Sequence, residues 1–209
     1  MSIPSSLAVV VSAVGLGALV WRFACHFIVV PWPYWLAWVL KNPYMLAFCH
    51  PHTIVKRIHK SGSKVLEVGC GAGRILVPLG KKDPTCEIIG LDFQSKMVEK
   101  ARSFIEREQL SNVAVMQGDI RYVHFESGAF DLIYLVTAIG EIPDREKVLK
   151  SLFSLLKPNG RFSITEVIPD PCYQTISTVR RMALSSGFIE EACYEGPLSY
   201  TINFKKPAM

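Results

Sequence analysis

From Lys64 onward, short runs of β-branched and apolar residues alternate with stretches whose apolar positions recur at helical spacing. Lys64 to Val68 (KVLEV) predicts a strand, followed by a glycine turn and a helix near Arg74 to Leu79. Glu87 to Leu91 predicts a second strand. Ser95 to Gln109 then carries Met97, Val98, Ala101, Phe104 and Ile105 on one helical face, with Ser95 as its cap. Val113 to Met116 makes a third strand. Phe130 to Val136 (FDLIYLV) is almost continuously apolar, the mark of a strand buried on both faces of a parallel sheet. A helix over Asp144 to Leu156 is stopped by Pro158, Asn159 and Gly160, and Arg161 to Val167 follows as the fifth strand. Tyr173 to Ser186 reads as helix, ended by Gly187, and two last strands flank Gly196 and Pro197. Repeated βα units joined by right-handed crossovers predict an α/β fold: a seven-stranded, mostly parallel sheet with helices on both faces.

The first forty residues follow a different pattern. Between Leu7 and Val30 the ionisable side chains are Arg22 and His26. The window from Leu7 to Phe27, at ~1.5 Å per residue, can reach across a hydrocarbon layer of roughly 30 Å. Pro4 precedes it and Pro31 and Pro33 follow, while Trp32, Tyr34, Trp35 and Trp38 form a cluster of amphipathic rings suited to a headgroup layer. A cleaved signal peptide needs a basic leading region, which MSIPSS lacks. The pattern therefore predicts an apolar helix at the N-terminus, residues 1–40, serving as a transmembrane or interfacial anchor, and a second unit over residues 41–209. Arg22, Lys41, Lys56, Arg57, Lys60 and Lys64 lie at or beyond the middle of the apolar run, which places the C-terminal unit in the cytoplasm of a single-pass protein.

Six cysteines show neither a Cys-x-x-Cys pair nor Cys/His ligand spacing, so free thiols and no metal site are expected. A formal net charge of +5, without a long basic stripe interleaved with aromatics, argues against a nucleic-acid partner. His50, His52 and His59 with nearby Lys and Arg suit a membrane-facing collar. Nothing in the pattern specifies an oligomeric state.

Candidate chemistry is sought at the carboxyl ends of the strands, where such sheets place their ligands. Glu67-Val68-Gly69-Cys70-Gly71-Ala72-Gly73-Arg74 follows the first strand and opens a helix; its glycines allow a tight turn and close approach of backbone to a ligand. Asp92, with Phe93 beside it, ends the second strand, where a carboxylate can take both hydroxyls of a ribose. Gly118-Asp119-Ile120 follows the third, offering an acceptor and an apolar wall to an adenine ring. A dinucleotide fingerprint requires glycine where this chain has Arg74, so the pattern favours a nucleoside over a pyrophosphate.

These elements resemble the class I S-adenosylmethionine-dependent methyltransferases from about Asn42 to Lys206, in the segments VLEVGCGAGR, GLDFQSKMVEKA, VMQGDI, FDLIYLVTAIGEI and LLKPNGRFSITE. The resemblance implies a Rossmann-like sheet and S-adenosylmethionine as cofactor. It also implies that Gly69, Gly71 and Gly73 line the methionine part, while Glu67 orients the loop or reaches the amino group through water. Asp92 would bind the ribose, Phe93 would pack near the adenine, Asp119 would accept from the adenine amino group, and Ile120 would cover the ring. The remainder is similar to a bacterial and archaeal branch with a quinone-biosynthesis-like core, in which GEIPD follows strand four and Asp-Pro-x-Tyr-Gln follows strand five. In that branch histidine often stands where this chain has Cys172.

Methyl transfer from a sulfonium is an in-line displacement, so a protein contributes alignment and, where required, proton removal. Glu141 and Glu166 at the ends of strands four and five, with Asp170 and Tyr173 just beyond, are the candidates for that end of the site; Glu141 could instead cap the following helix. Val136-Thr137-Ala138-Ile139 replaces the Asn/Asp-Pro-Pro-aromatic run of enzymes that methylate amino groups on adenine or glutamine. Tethering beside a bilayer raises the effective concentration of an apolar acceptor, so a small, lipid-like or quinone-like substrate is expected. An NAD(P)-dependent oxidoreductase on a similar fold and a non-catalytic cofactor-binding membrane protein are the alternatives.

Overall fold

The computed structural model describes residues 49–168 and 170–208, together with Val20. The expected anchor, residues 1–40, falls outside the described residues apart from Val20. Among the described residues no helix is long and apolar enough to cross a membrane.

Helix α1 (Pro51–Ile58) leads into β1 (Lys64–Val68), α2 (Leu76–Lys82), β2 (Glu87–Asp92), α3 (Ser95–Arg107), β3 (Val113–Gln117) and β4 (Phe130–Val136). Then come α4 (Arg145–Leu155), β5 (Leu156–Val167), α5 (Ile176–Ser185), β6 (Ile189–Glu195) and β7 (Ser199–Lys205). The strands form one sheet in the order β3-β2-β1-β4-β5-β7-β6. The first five run parallel, and β7 is antiparallel to both its neighbours. The chain works outward from β1 to β3 and then crosses back to β4, so a topological switch lies between β1 and β4, where ligands of such sheets collect.

Strand alternation builds two cores. Leu66, Val68, Ile133, Leu135, Phe162 and Ile164 point into the layer holding α4 and α5. Val65, Leu132, Tyr134 and Val136 point the other way, against α1, α2 and α3. Double burial explains why β4 is almost continuously apolar. At the sheet's lower edge Asp83 accepts from Ser61, Thr85, the Gly62 and Thr85 amides, and pairs with His59. These groups lie beside Cys86, with His59, Asp83 and Cys86 placing potential ligand atoms within 4.8 Å of one another. The carboxylate is already engaged by hydrogen-bond donors of the chain, and the cluster works as a structural knot joining the β1 and β2 approaches. Cys49, Cys70, Cys86 and Cys193 are free thiols, whereas Cys172 is disulfide-bonded, against the expectation for all six.

Several element boundaries differ from the sequence expectation, each for a local reason. Helix α2 starts at Leu76 because the preceding five residues turn around the glycines. Ser95 is the first residue of α3, not its cap, since the carboxylate of Asp92 accepts the Gln94 amide and directs the chain into the helix. Helix α5 starts at Ile176, where the Thr175 hydroxyl accepts the Thr178 amide. Strand β5 begins at Leu156, ahead of the Pro-Asn-Gly stop signal; Leu156 pairs with Phe130, and the register then shifts.

Leu152, on α4, is fully buried in the larger core. Leu152→Ala is expected to lower unfolding free energy by about 2–5 kcal/mol. Urea denaturation should show a lower midpoint with an unchanged slope.

Candidate active site

Beyond Val68 the chain turns through Gly69, Gly71 and Gly73, all in the left-handed region with φ of 75°, 52° and 81°. Their surroundings differ. A Cβ on Gly69 would stand 2.6 Å from that of Ala138, whereas one on Gly71 would meet nothing within 4 Å. Gly71 therefore opens one face of the turn to a ligand, while Gly69 lets the turn lie against the end of β4.

Asp92 ties this turn to the next one. Its Oδ2 accepts the Gly71 amide at 2.8 Å and its Oδ1 the Gln94 amide at 2.9 Å. Burial raises its pKa, and the two amides partly offset that. Each carboxylate oxygen has further lone-pair capacity beyond one amide. Phe93, 48% exposed, stands beside it. On the adjacent loop Asp119 accepts the Arg121 guanidinium through both oxygens (Nε at 3.1 and 3.0 Å, Nη2 at 2.6 Å) and the Arg121 amide at 2.9 Å. Arg121 holds that carboxyl below its usual range. Ile120 is buried alongside.

These groups line one cavity of about 680 Å³, together with Glu67, Arg74, Thr137, Glu141, Ile142, Pro143 and Asp170. The volume is that of a pocket for a small organic ligand, where roughly 300–1,000 Å³ is usual. Glu67 sits at its buried end, and its Oε2 accepts the Tyr134 hydroxyl at 2.8 Å from the paired position on β4. Burial pushes its pKa up to about 8, against the lowering effects of Tyr134 and Arg74. Arg74 itself reaches back to Cys49, donating to its carbonyl at 3.1 Å and its sulfur at 2.7 Å.

The three expected catalytic candidates separate. Glu141 borders the cavity within a single turn of 3-10 helix, Ile139–Glu141, which Arg145 pins by donating to the Ile139 and Gly140 carbonyls. Glu141 does not cap the next helix; that position belongs to Asp144, at φ 50°. Glu166 and Tyr173 do not line the cavity. Glu166 shares the strand face of Phe162 and Ile164, so alternation turns it into the α4/α5 layer, where it is 1% exposed. Its Oε2 accepts the Gln174 amide at 3.0 Å, and its Oε1 has no hydrogen-bond partner among the described residues. Burial, then Asp170, raises its pKa far above the carboxylate range. Tyr173 packs edge-to-face on Tyr200, ring centres 6.0 Å apart. Asp170 occupies the cavity wall in their place, its Oδ1 accepting the Cys172 amide.

Tyr134, Thr137 and the Arg121 fork are contributors that sequence reasoning passed over. A tyrosine inside a strand buried on both faces needs a hydrogen-bond partner, and that signal pointed to Tyr134. Thr137 carries φ of 51°, a strained conformation for a β-branched residue that costs on the order of 1–3 kcal/mol and tends to occur at functional sites. No sequence pattern marks it.

Residues 59–195 match the family model described as a methyltransferase domain. Sterol 24-C-methyltransferase erg6 of Aspergillus fumigatus is 34% identical over 129 residues, covering 59% of this chain and 33% of that protein. Demethylmenaquinone methyltransferase of Lactobacillus johnsonii is 32% identical over 109 residues, covering 51% and 45%. The chain thus spans between a third and a half of the length of these curated relatives. A SAM-dependent methyltransferase structure from Aquifex aeolicus superposes with a TM-score of 0.76 at 22% identity, over 84% of this chain and 99% of that one. The chain belongs to the methyltransferase-domain family, and its sheet has the fold of that superposed structure.

Glu67 gives the site a stability signature. Its pKa is raised from 4.5 to about 8, so between those values the folded state holds a proton that the unfolded chain releases. Its contribution to stability is complete below about pH 4.5, falls by roughly 1.4 kcal/mol per pH unit as pH rises, and levels off above about 8. Glu67→Gln, which still accepts from Tyr134, is expected to match the parent near pH 4.5 and to exceed it at pH 8 in urea denaturation without cofactor.

Proposed function

We propose that the protein transfers a methyl group from S-adenosylmethionine to a small apolar acceptor, lipid-like or quinone-like, with its catalytic domain held on the cytoplasmic side of a membrane by the apolar N-terminal segment. The observation that carries the methyltransferase reading is the convergence of Gly71, Asp92 and Asp119 on one cavity from three different strand ends.

The residues present fit the cofactor. The open face of Gly71 admits a ligand where a Cβ would intrude. Asp92 is fixed by two amides and keeps acceptor capacity for ribose hydroxyls. Phe93 and Ile120 supply apolar walls for an adenine, and Asp119, oriented by Arg121, supplies an acceptor for its amino group. Glu67 anchors the buried end of the glycine turn. When bound, the cofactor supplies an activated methyl group on a sulfonium.

The chain's own task is to align the acceptor and to exclude water. Thr137, Ile142 and Pro143 form a partly apolar wall there, and Glu141 and Asp170 are the carboxyls able to orient an acceptor hydroxyl or take its proton. Glu166 acts behind them as a positioning group, holding the Gln174 amide in the loop that follows Asp170. An apolar acceptor is supported by the relatives named for sterol and demethylmenaquinone methylation and by the apolar run from Leu7 to Val30, which would raise the local concentration of a membrane-dissolved substrate.

Two measurements test this reading. Asp92→Ala is expected to lose about ten-fold or more in affinity for S-adenosylmethionine and S-adenosylhomocysteine by calorimetry, the scale of hydrogen bonds to a charged group. Unchanged binding in a folded variant would remove the ribose assignment. The full-length protein with labelled cofactor should methylate a component of a membrane lipid extract, and activity confined to water-soluble metabolites would remove the apolar acceptor.

A further inference from the structure

Helix α1 runs from Pro51 toward the start of β1, so its first residues lie at the edge of the sheet where the parallel strands end. Cys49, just ahead of it, is held there by two hydrogen bonds from Arg74, a residue of the cavity wall. The chain that precedes Cys49, with its apolar run and four-ring aromatic cluster, therefore joins the domain beside the cavity mouth.

Three large apolar side chains are exposed on loops at this same edge. Phe93 follows β2, Tyr122, 71% exposed, follows β3, and Ile168, 43% exposed, follows β5. Exposure alone does not choose this edge, because Leu184 at the end of α5 and Ile189 at the start of β6 are also exposed, at the opposite edge. The point of entry chooses it. Ten residues separate Trp38, the last ring of the aromatic cluster, from Cys49; fully extended they reach at most about 40 Å. A compact domain of this size is itself about 40 Å across. With the aromatic cluster at the headgroups, presenting the far edge to the bilayer would require that connection to be stretched to its limit along the whole height of the domain. Presenting the mouth requires no stretch.

Resting on the anchored-methyltransferase reading above, we propose that the cavity mouth faces the bilayer directly, with Tyr122 and Ile168 entering its headgroup layer. An acceptor dissolved in the membrane then passes from lipid into the cavity past Ile142 and Pro143 without crossing bulk water, and the apolar loops contribute a second contact beside the anchor.

The test uses the full chain in phosphatidylcholine–phosphatidylglycerol vesicles, with p-benzoylphenylalanine in place of Tyr122, Ile168 or, as a control of equal apolarity at the far edge, Leu184. After irradiation and flotation, intact-mass analysis is expected to show lipid adducts at positions 122 and 168 several-fold above position 184. Adducts equal at all three positions, greater at 184, or absent from all three while the protein floats with the vesicles, would overturn the orientation and leave the anchor standing. Protein that does not float would overturn both. Adducts at 122 and 168 in a protein that methylates no membrane component would uphold the orientation and overturn the acceptor assignment.

Discussion

The carboxylate of Asp92 accepts one amide from the glycine turn after β1 and another from the start of α3. With those two bonds it locks together the loops that leave neighbouring strands. The rest of the site depends on that junction, because the glycines of the turn have no side chains of their own to hold its shape, and the Gly71 amide takes its acceptor from another element. A parallel sheet provides the frame: β1 and β2 end side by side, with Val68 opposite Leu91, so Asp92 reaches the turn without distortion.

Around this junction the carboxyls are sorted by environment, Glu67 in the cavity wall and Glu166 behind it. Glu67 and Glu166 are enclosed and poorly compensated, and burial drives both toward the protonated form. Asp119, on the more open loop, is held ionised by its bidentate pairing with Arg121. Acid residues of one chemical type thus serve different ends: hydrogen bonding inside the fold, and an acceptor oriented by a cationic partner in the cavity wall. The cationic sulfonium proposed as cofactor would meet a cavity lined by Glu67, Asp92, Asp119, Glu141 and Asp170 alongside glycine backbone and apolar side chains.

The proposed membrane contact would connect this arrangement to substrate supply. In that proposal the aromatic cluster, the connection to Cys49 and the apolar loops around the mouth would all meet the same bilayer, and an apolar acceptor would profit from all three. The same loops carry Phe93 and Ile120, which line the cavity and are proposed to face the cofactor, so contact with lipid and closure over a ligand would draw on neighbouring side chains.

The sequence by itself determined the order of strands and helices, the parallel character of the sheet, and the strand-end positions of Gly71, Asp92, Asp119 and Glu141, because period-2 and period-3.6 patterns and turn residues are local properties. It could not decide which of Glu141, Glu166 and Tyr173 face the cavity. That outcome depends on where β5 stops alternating and on how the following loop folds back over the α4/α5 layer, and both are set by contacts between residues far apart in the chain. Pairings such as Glu67 with Tyr134, or Arg74 with Cys49, likewise exist only once β1, β4 and α1 lie side by side, since a hydrogen bond across 67 or 25 residues leaves no periodic trace in the sequence.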